Sequence, residues 1–389
     1  MYRIGQEEID AVARVINSRD FFKINNSGQE VLHFEKEWGE YVGVQYALLM
    51  TSGLAALTSG LIGMGIGPGD EVIIPAYTYI ATALAVTGTG AIPVIAEVDD
   101  TLTLDVEDAE RKITSHTKAI IPVHIQGFPS DMDGITKLAK QYGLKVLEDA
   151  CQADGGSYHG RFLGTLGDAG AYSYNYYKVI TAGEGGALVT EDRVIYERAL
   201  IYHDSGAVAF FGDQLEGINQ PLFGGTEFRV SDITGAILRE QLKRMPNIIE
   251  DLRKNKKKLM TQMGSHLLPI RSHDFEGDCG TTLALRFENQ ERARRFADHC
   301  ASAGIAITIP IDTGKHVYTN WSQIMERRGA FHPAMDPYQM EANRELQQNY
   351  TMDMCPRTLE LLACTAYLAV SPDWSDAELA QIINTLQTF

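Results

Sequence analysis

Ile9, Val12, Val15 and Ile16 recur three or four positions apart, which predicts an amphipathic helix ending near Ser18. Leu54, Leu57 and Leu61 predict a second helix, stopped by Gly67-Pro-Gly-Asp70 ahead of the strand-like run Glu71-Val-Ile-Ile-Pro75. Further β-like runs are Pro93–Ile95, Ala119–Val123, Lys145–Leu147, Gly170–Tyr174 and Gly186–Thr190, with helical patterns at 105–112, 130–142 and 192–202 between them. Strands alternating with helices predict a largely parallel sheet covered on both faces, so residues 1–245 read as one large α/β domain with an N-terminal helix. Ile233, Ile237, Leu238, Leu242 and Met245 mark a helix that Pro246 should interrupt, with a second helical segment running to about Met263. Beyond it, Thr282–Phe287, a helix from Glu288 to Ala303, and the β-like Ile305-Ala-Ile-Thr-Ile309 suggest a small α+β domain over 246–389. Its last helix opens on a capping box, Ser375-x-x-Glu378, ahead of Leu379, Ile382, Ile383 and Leu386.

A chain of 389 residues is long for one core, and a large domain with a smaller appendage can bury a cofactor. The net charge of −17 argues against a nucleic-acid partner, which needs clustered Lys and Arg to displace counterions. The one basic cluster, Arg253, Lys254, Lys256, Lys257 and Lys258, falls in a helical stretch and reads as a solvated face. Five scattered cysteines without CxxC spacing suit a reducing compartment and give no zinc signature, and the histidines likewise lack metal-ligand spacing. The apolar region Ile80–Ile95 is broken by Thr, Gly and Pro and is too interrupted to span a bilayer, and the N-terminus lacks the apolar core of a signal peptide, so a soluble cytoplasmic protein is expected.

The chemistry concentrates in Leu147-Glu-Asp149-Ala-Cys-Gln152 and Ser173-Tyr-Asn-Tyr-Tyr-Lys178-Val-Ile-Thr-Ala-Gly-Glu-Gly-Gly186. A lysine among aromatics and glycines, with an aspartate upstream, is the pairing that pyridoxal 5′-phosphate (PLP) chemistry needs: Lys178 to hold the aldehyde and Asp149 to keep the ring nitrogen protonated. Lys178, once released, is also the natural base to move a proton between the substrate and the cofactor. Ser52-Gly53 precedes a helix, where unpaired N–H groups and the positive dipole end favour phosphate, and Gly53 allows close backbone approach. Taken singly, the lysine reads as solvated, the aspartate as a helix cap and Gly183-Glu-Gly-Gly186 as a hairpin turn; their combination carries the argument. The string Gly63-x-Gly65-x-Gly67-x-Gly69 follows a helix instead of a strand, which excludes a dinucleotide loop.

In order along the chain, Gly28-Gln-Glu-Val with Phe34-Glu35, Thr51-Ser-Gly-Leu-Ala-Ala-Leu57, Gly67-Pro-Gly-Asp-Glu-Val72, Glu148-Asp-Ala150, Ser173–Lys178 and Gly183-Glu-Gly-Gly186 cover nearly its whole length. This series resembles the DegT/StrS-type sugar aminotransferases, PLP enzymes of aminotransferase fold type I. The resemblance implies a large domain with a mostly parallel mixed sheet between helices and a small C-terminal α+β domain. It implies that Lys178 holds the cofactor covalently, that Asp149 contacts the ring nitrogen, and that Gln152 lies near the ring hydroxyl. Tyr79 would stack on the ring, while the backbone at Gly53-Leu54 and the Ser173 hydroxyl would hold the phosphate. It further implies a homodimer with active sites at the subunit interface, L-glutamate as amino donor, and pyridoxamine 5′-phosphate as the aminated form of the cofactor.

The sequence departs from the family at two places. Leu54 stands where Thr is common, which keeps a backbone contact and loses a hydroxyl. Thr226-Glu227-Phe228-Arg229 stands where the family usually reads Asn-Tyr-Arg, its Asn reaching the partner subunit's phosphate. Two unit charges about 4 Å apart repel by roughly 4 kcal/mol at an effective dielectric near 20, so Glu227 is expected to turn away, pair with a cation such as Arg229, or face substrate amino groups. Lys315, His316 and Tyr318, in a stretch that continues to Trp321, are candidates for the substrate mouth, though Tyr318 and Trp321 read equally as packing of the small domain. This segment resembles the branch that includes 8-amino-3,8-dideoxy-manno-octulosonate transaminase, whose acidic sugar would need Arg229 or Lys315 for its carboxylate. The alternative acceptor is a nucleotide-linked keto-sugar. A catalytically inactive scaffold is the alternative of another class; a sugar dehydratase of related sequence would carry histidine in place of Lys178.

Overall fold

The computed structural model describes residues 3–23, 28–206, 217–346 and 348–389. Its centre is a seven-stranded sheet of β1 (Tyr46–Met50), β2 (Glu71–Pro75), β3 (Ile92–Ala96), β4 (Thr117–Ile120), β5 (Lys145–Asp149), β8 (Ala169–Ser173) and β9 (Gly186–Thr190), in the order β1-β9-β8-β5-β4-β2-β3. A two-residue hairpin, β6 (Ser157–Tyr158) with β7 (Arg161–Phe162), lies between β5 and β8 in sequence. Strands β3, β2, β4, β5 and β8 pair in parallel, and β9 runs antiparallel to both its neighbours.

Most of these strands are buried on both faces, which is why their sequences are continuous apolar runs instead of alternating ones. Alternate side chains enter two cores: Leu49, Ile73 and Val189 pack with Phe34 and Trp38 on one side, and Leu48, Ile74 and Leu188 pack with Leu57 and Leu61 on the other. Trp38 meets Tyr172 and Tyr174 edge-on, with ring centroids 4.9 and 5.6 Å apart. Three layers result, as the alternation of strands and helices predicts.

Two local expectations are corrected. Residues Asp232–Gln262 form one continuous helix with Pro246 inside it, so the predicted interruption does not occur and the boundary placed at 245/246 lies within a helix. Proline removes one rung and costs roughly 3 kcal/mol, but Met245, Ile248, Ile249 and Leu252 flank it with buried apolar surface, which offsets that cost. Ile305–Ile309 forms no strand beyond an isolated bridge between Thr308 and Tyr367; the small sheet is β10 (Leu268–Pro269), β11 (Thr282–Arg286) and β12 (Thr365–Ala369). The first helix, Gln6–Ser18, turns Glu8, Ala11 and Val15 inward and leaves Ile9 and Ile16 60% and 52% exposed.

Glu8 explains that rotation. Its carboxylate accepts from Gln241 Nε2 at 2.8 Å, Arg244 Nε at 2.7 Å and the Gly5 N–H at 2.7 Å, tying the first helix to the long one. Burial pushes the Glu8 carboxyl up, yet these donors carry it down to about 2 from an ordinary 4.5. A carboxylate depressed on folding contributes stability that is complete above its unfolded value and lost as pH falls through its folded one. Urea midpoints measured between pH 7 and pH 3 should therefore fall more steeply for the wild type than for Glu8→Gln, which starts lower at pH 7; parallel curves would show that this tie contributes nothing.

Candidate active site

In open parallel sheets, polar groups gather beyond the carboxyl ends of the strands, and four such ends converge here. The exit of β1 supplies Ser52, Gly53 and Leu54; β2 leads to Tyr79; β5 ends on Asp149 and continues to Gln152; β8 ends on Ser173 and leads to Lys178.

Glu148 and Asp149 point to opposite faces of β5. Glu148, fully buried, accepts from His124 Nε2 at 2.9 Å and from the N–H groups of Gly164, Leu166 and Gly167 at 2.8, 2.5 and 2.6 Å. His124 Nδ1 accepts the Ser130 N–H, which places the imidazole proton on Nε2. Asp149, 5% exposed, accepts from Thr82 Oγ1 at 2.7 Å and from the Cys151 N–H at 3.1 Å.

Ser52 caps the helix Gly53–Gly63 by accepting the Ala55 N–H, and Ser52 O takes the Ala56 N–H. The Gly53 and Leu54 N–H groups are then the first-turn donors left for a ligand. A Cβ on Gly53 would stand 2.6 Å from Cys151 Sγ and 3.0 Å from Ser173 Cβ, so the helix start and Ser173 already share a close cradle. A Cβ on Gly186 would collide with the backbone of Ser52 and Gly53, which fixes glycine there.

Lys178 sits in a loop closed on itself. The Thr181 hydroxyl donates to Tyr174 O, Tyr176 N–H to Gly183 O, and Lys178 N–H to Asn175 O; Gly183 adopts φ +87°, which only glycine takes freely. The charge of Lys178 acts on Cys151, Asp154 and His316, placing its amine among the exits of β5 and β8 and the 314–318 segment.

That segment is stitched to the exit of β2: Thr78 and Ile80 donate to the carbonyls of His316 and Lys315, and Tyr318 N–H donates to Ala76 O. The rings of Tyr79 and His316 lie 5.3 Å apart. Burial lowers the His316 pKa, the Thr313 carbonyl raises it, and the Lys178 charge lowers it further, so the imidazole is mainly neutral near pH 7. Gln152 Oε1 accepts the Gln126 N–H at 3.0 Å, a contact that orients its amide group.

The structure thus brings together Gly53, Leu54, Tyr79, Asp149, Gln152, Ser173, Lys178 and His316. It does not bring Tyr318 to the mouth: that residue is fully buried, its hydroxyl donating to Met352 O, and Trp321 is equally buried with its indole on Lys315 O. Lys315 is exposed, with Nζ 3.3 Å from Asn320 O. Arg229 is taken up by two carboxylates, Asp204 and Glu227, the latter at 2.5 Å, and Glu227 also accepts the Arg229 N–H. Pairing with Arg229 is one of the three outcomes expected for Glu227. Thr82 was invisible to sequence reasoning, because a threonine in the first turn of a helix carries no pattern that points to a carboxylate 67 residues away.

The profile of the DegT/DnrJ/EryC1/StrS aminotransferase family matches residues 2–387. The chain belongs to this family. GDP-perosamine synthase of Escherichia coli O157:H7 is 38% identical over 230 residues, 58% of this chain and 61% of that protein. The dTDP-3-amino-3,4,6-trideoxy-alpha-D-glucose transaminase of Streptomyces venezuelae is 39% identical over 234 residues, 60% of this chain and 59% of that one. These alignments span about three fifths of each relative's length. Among solved structures, an aminotransferase from Psychrobacter cryohalolentis superposes with a TM-score of 0.82 at 27% identity, over 100% of this chain and 98% of that one. S. venezuelae DesV in complex with a ketimine intermediate gives 0.78 at 27% identity, over 98% and 94%.

The family's cofactor is PLP, and the residues present fit it. Gly53, Leu54 and Ser173 offer donors for a phosphate, Asp149 a held carboxylate for a protonated ring nitrogen, and Lys178 an amine for the aldehyde. Among the described residues, no cluster of His, Cys, Asp and Glu could hold a metal ion. The Thr82 hydroxyl is the donor that keeps Asp149 oriented, and a hydrogen bond to a charged group is worth about 1.5–3 kcal/mol. Thr82→Val should therefore keep the fold by circular dichroism while weakening PLP binding roughly tenfold or more in a fluorescence titration; unchanged affinity would remove Thr82 from the site.

Proposed function

We propose that this chain transfers an amino group from L-glutamate to the carbonyl carbon of a nucleotide-linked sugar. The observation that carries the reading is the convergence of Asp149, Lys178 and the Gly53–Ser173 cradle at one sheet edge. When bound, the cofactor supplies an aldehyde to receive the amino group and a ring that stores an electron pair. Asp149, fixed by Thr82 and the Cys151 N–H, is the negative charge that keeps a ring nitrogen protonated. Lys178 serves as covalent anchor and then as the base that carries the proton between two carbons. Tyr79, 49% exposed, and His316 beside it cover the mouth, and the neutral imidazole is a second acceptor or donor for a sugar hydroxyl.

The names of the relatives favour a nucleotide-linked acceptor. The acidic octulosonate has less support, since Arg229, one of its two candidate carboxylate partners, already holds Asp204 and Glu227. Kinetic assays with both substrate classes decide between them: turnover of a nucleotide-linked keto-sugar is expected, and turnover of the octulosonate aldehyde alone would overturn the assignment. Borohydride reduction followed by mass spectrometry should place a pyridoxyl group on Lys178, lost in Lys178→Ala together with the glutamate-induced change in the visible band. No adduct at Lys178 would favour an inactive scaffold.

A homodimer belongs to the same reading. Tyr176 and Tyr177, the two residues before Lys178, are 50% and 82% exposed, an aromatic surface beside the lysine that a partner subunit would cover. Sedimentation equilibrium at micromolar concentration should give twice the chain mass; a monomer would contradict it. All five cysteines are free thiols, which supports a reducing, cytoplasmic setting, and no helix among the described residues is long and apolar enough to cross a membrane.

A further inference from the structure

Thr78, on the exit of β2, has its hydroxyl 2.7 Å from that of Thr82, in the first turn of the helix Ala81–Gly88. Thr82 Oγ1 in turn lies 2.7 Å from Asp149 Oδ2. Each hydroxyl has one hydrogen to give, so the direction of the two bonds can be worked out. A carboxylate can only accept, which commits the Thr82 hydrogen to Asp149 in preference to the Tyr79 carbonyl at 3.2 Å. Thr82 Oγ1 is then the acceptor for Thr78, whose other acceptor, Tyr79 O, is 3.4 Å away. The result is a directed chain from Thr78 through Thr82 to Asp149, closed to solvent because the two threonines are 1% and 0% exposed. Hydrogen bonds in such a chain polarise one another, so the first donor strengthens the last bond without touching the carboxylate.

We propose that Thr78 is a positioning residue for Asp149, acting through Thr82. Its hydroxyl holds Thr82 Oγ1 between the carboxylate and the Tyr79 carbonyl and keeps the Thr82 hydrogen on the carboxylate. The other oxygen, Asp149 Oδ1, takes the Cys151 N–H at 3.1 Å, so each oxygen has its own donor and the plane of the carboxylate is fixed from both sides. Removing the Thr78 hydroxyl loosens one of those sides. The Thr78 N–H donates to His316 O at 3.0 Å, so the residue that heads the chain to Asp149 is also bonded to the segment carrying His316, beside the ring of Tyr79. The floor of the site and its mouth thus share one residue.

This inference rests on Asp149 being the partner of the cofactor ring, and a double-mutant cycle on the full chain stripped of cofactor separates the two. In a fluorescence titration with PLP, Thr78→Val, which keeps the shape of the side chain, should weaken binding roughly fivefold, the effect of losing one hydrogen bond. In the Thr82→Val background the same change should cost less than about twofold, because the chain is already cut. Thr78→Ser, which keeps the hydroxyl, should bind within about twofold of the wild type. Should Thr78→Val fail to fold by circular dichroism, Thr78→Ala replaces it in the same cycle. Equal losses in both backgrounds, or a Thr78→Ser variant as weak as Thr78→Val, would show that Thr78 does not act through Thr82 and overturn the proposal. Where borohydride places the pyridoxyl group on Lys178 but the losses are equal, this inference alone falls; where the wild type takes up no PLP, the cofactor assignment falls with it.

Discussion

The site depends on one back-to-back arrangement at the end of β5. A strand sends successive side chains to opposite faces, so Glu148 and Asp149 cannot both look toward the same ligand. Glu148 faces inward and is satisfied by His124 and three backbone N–H groups from residues 164–167. That clamp fixes the rotation of the strand end, and the orientation of Asp149 toward Thr82 follows from it. A buried carboxylate with four donors is tolerable; one with fewer would be the costliest group in the core.

The same logic orders the surroundings. Glycines at 53 and 186 allow backbones to meet where side chains would collide, and the loop 174–185 closes by its own hydrogen bonds before it presents Lys178. The 314–318 segment is bonded to the backbone of residues 76–80, so the Tyr79 and His316 rings are placed by main-chain contacts instead of by side-chain preference.

Much of this was readable from residue order. The strands of the central sheet are apolar runs bounded by Gly, Pro and Asp; Asp149 stood out just after one of them and Lys178 by its aromatic and glycine neighbours, while the part of Ser173 came from the family resemblance. What escaped has a common cause: the partner comes from far along the chain. The first helix was legible from its spacing, but which side it buries was not, because that is set by Glu8 meeting Arg244 and Gln241. Ile305–Ile309 looked like a strand, but β11 already had β10 and β12 as neighbours. Tyr318 read equally as a recognition group and as packing, and its hydroxyl, claimed inside the protein by Met352 O, decides for packing.

The helix that runs unbroken through Pro246 has a mechanical consequence. Its N-terminal half packs on the helices at 6–18 and 30–42, and its C-terminal half reaches the small sheet, so it works as a spar about 45 Å long between those helices and that sheet. Proline leaves the Leu242 carbonyl without its usual helical donor, and a rod lacking one rung is softest there. Any bending of this helix will concentrate at that missing rung, one residue past Gln241, whose Oε1 accepts the Thr181 N–H of the loop that carries Lys178.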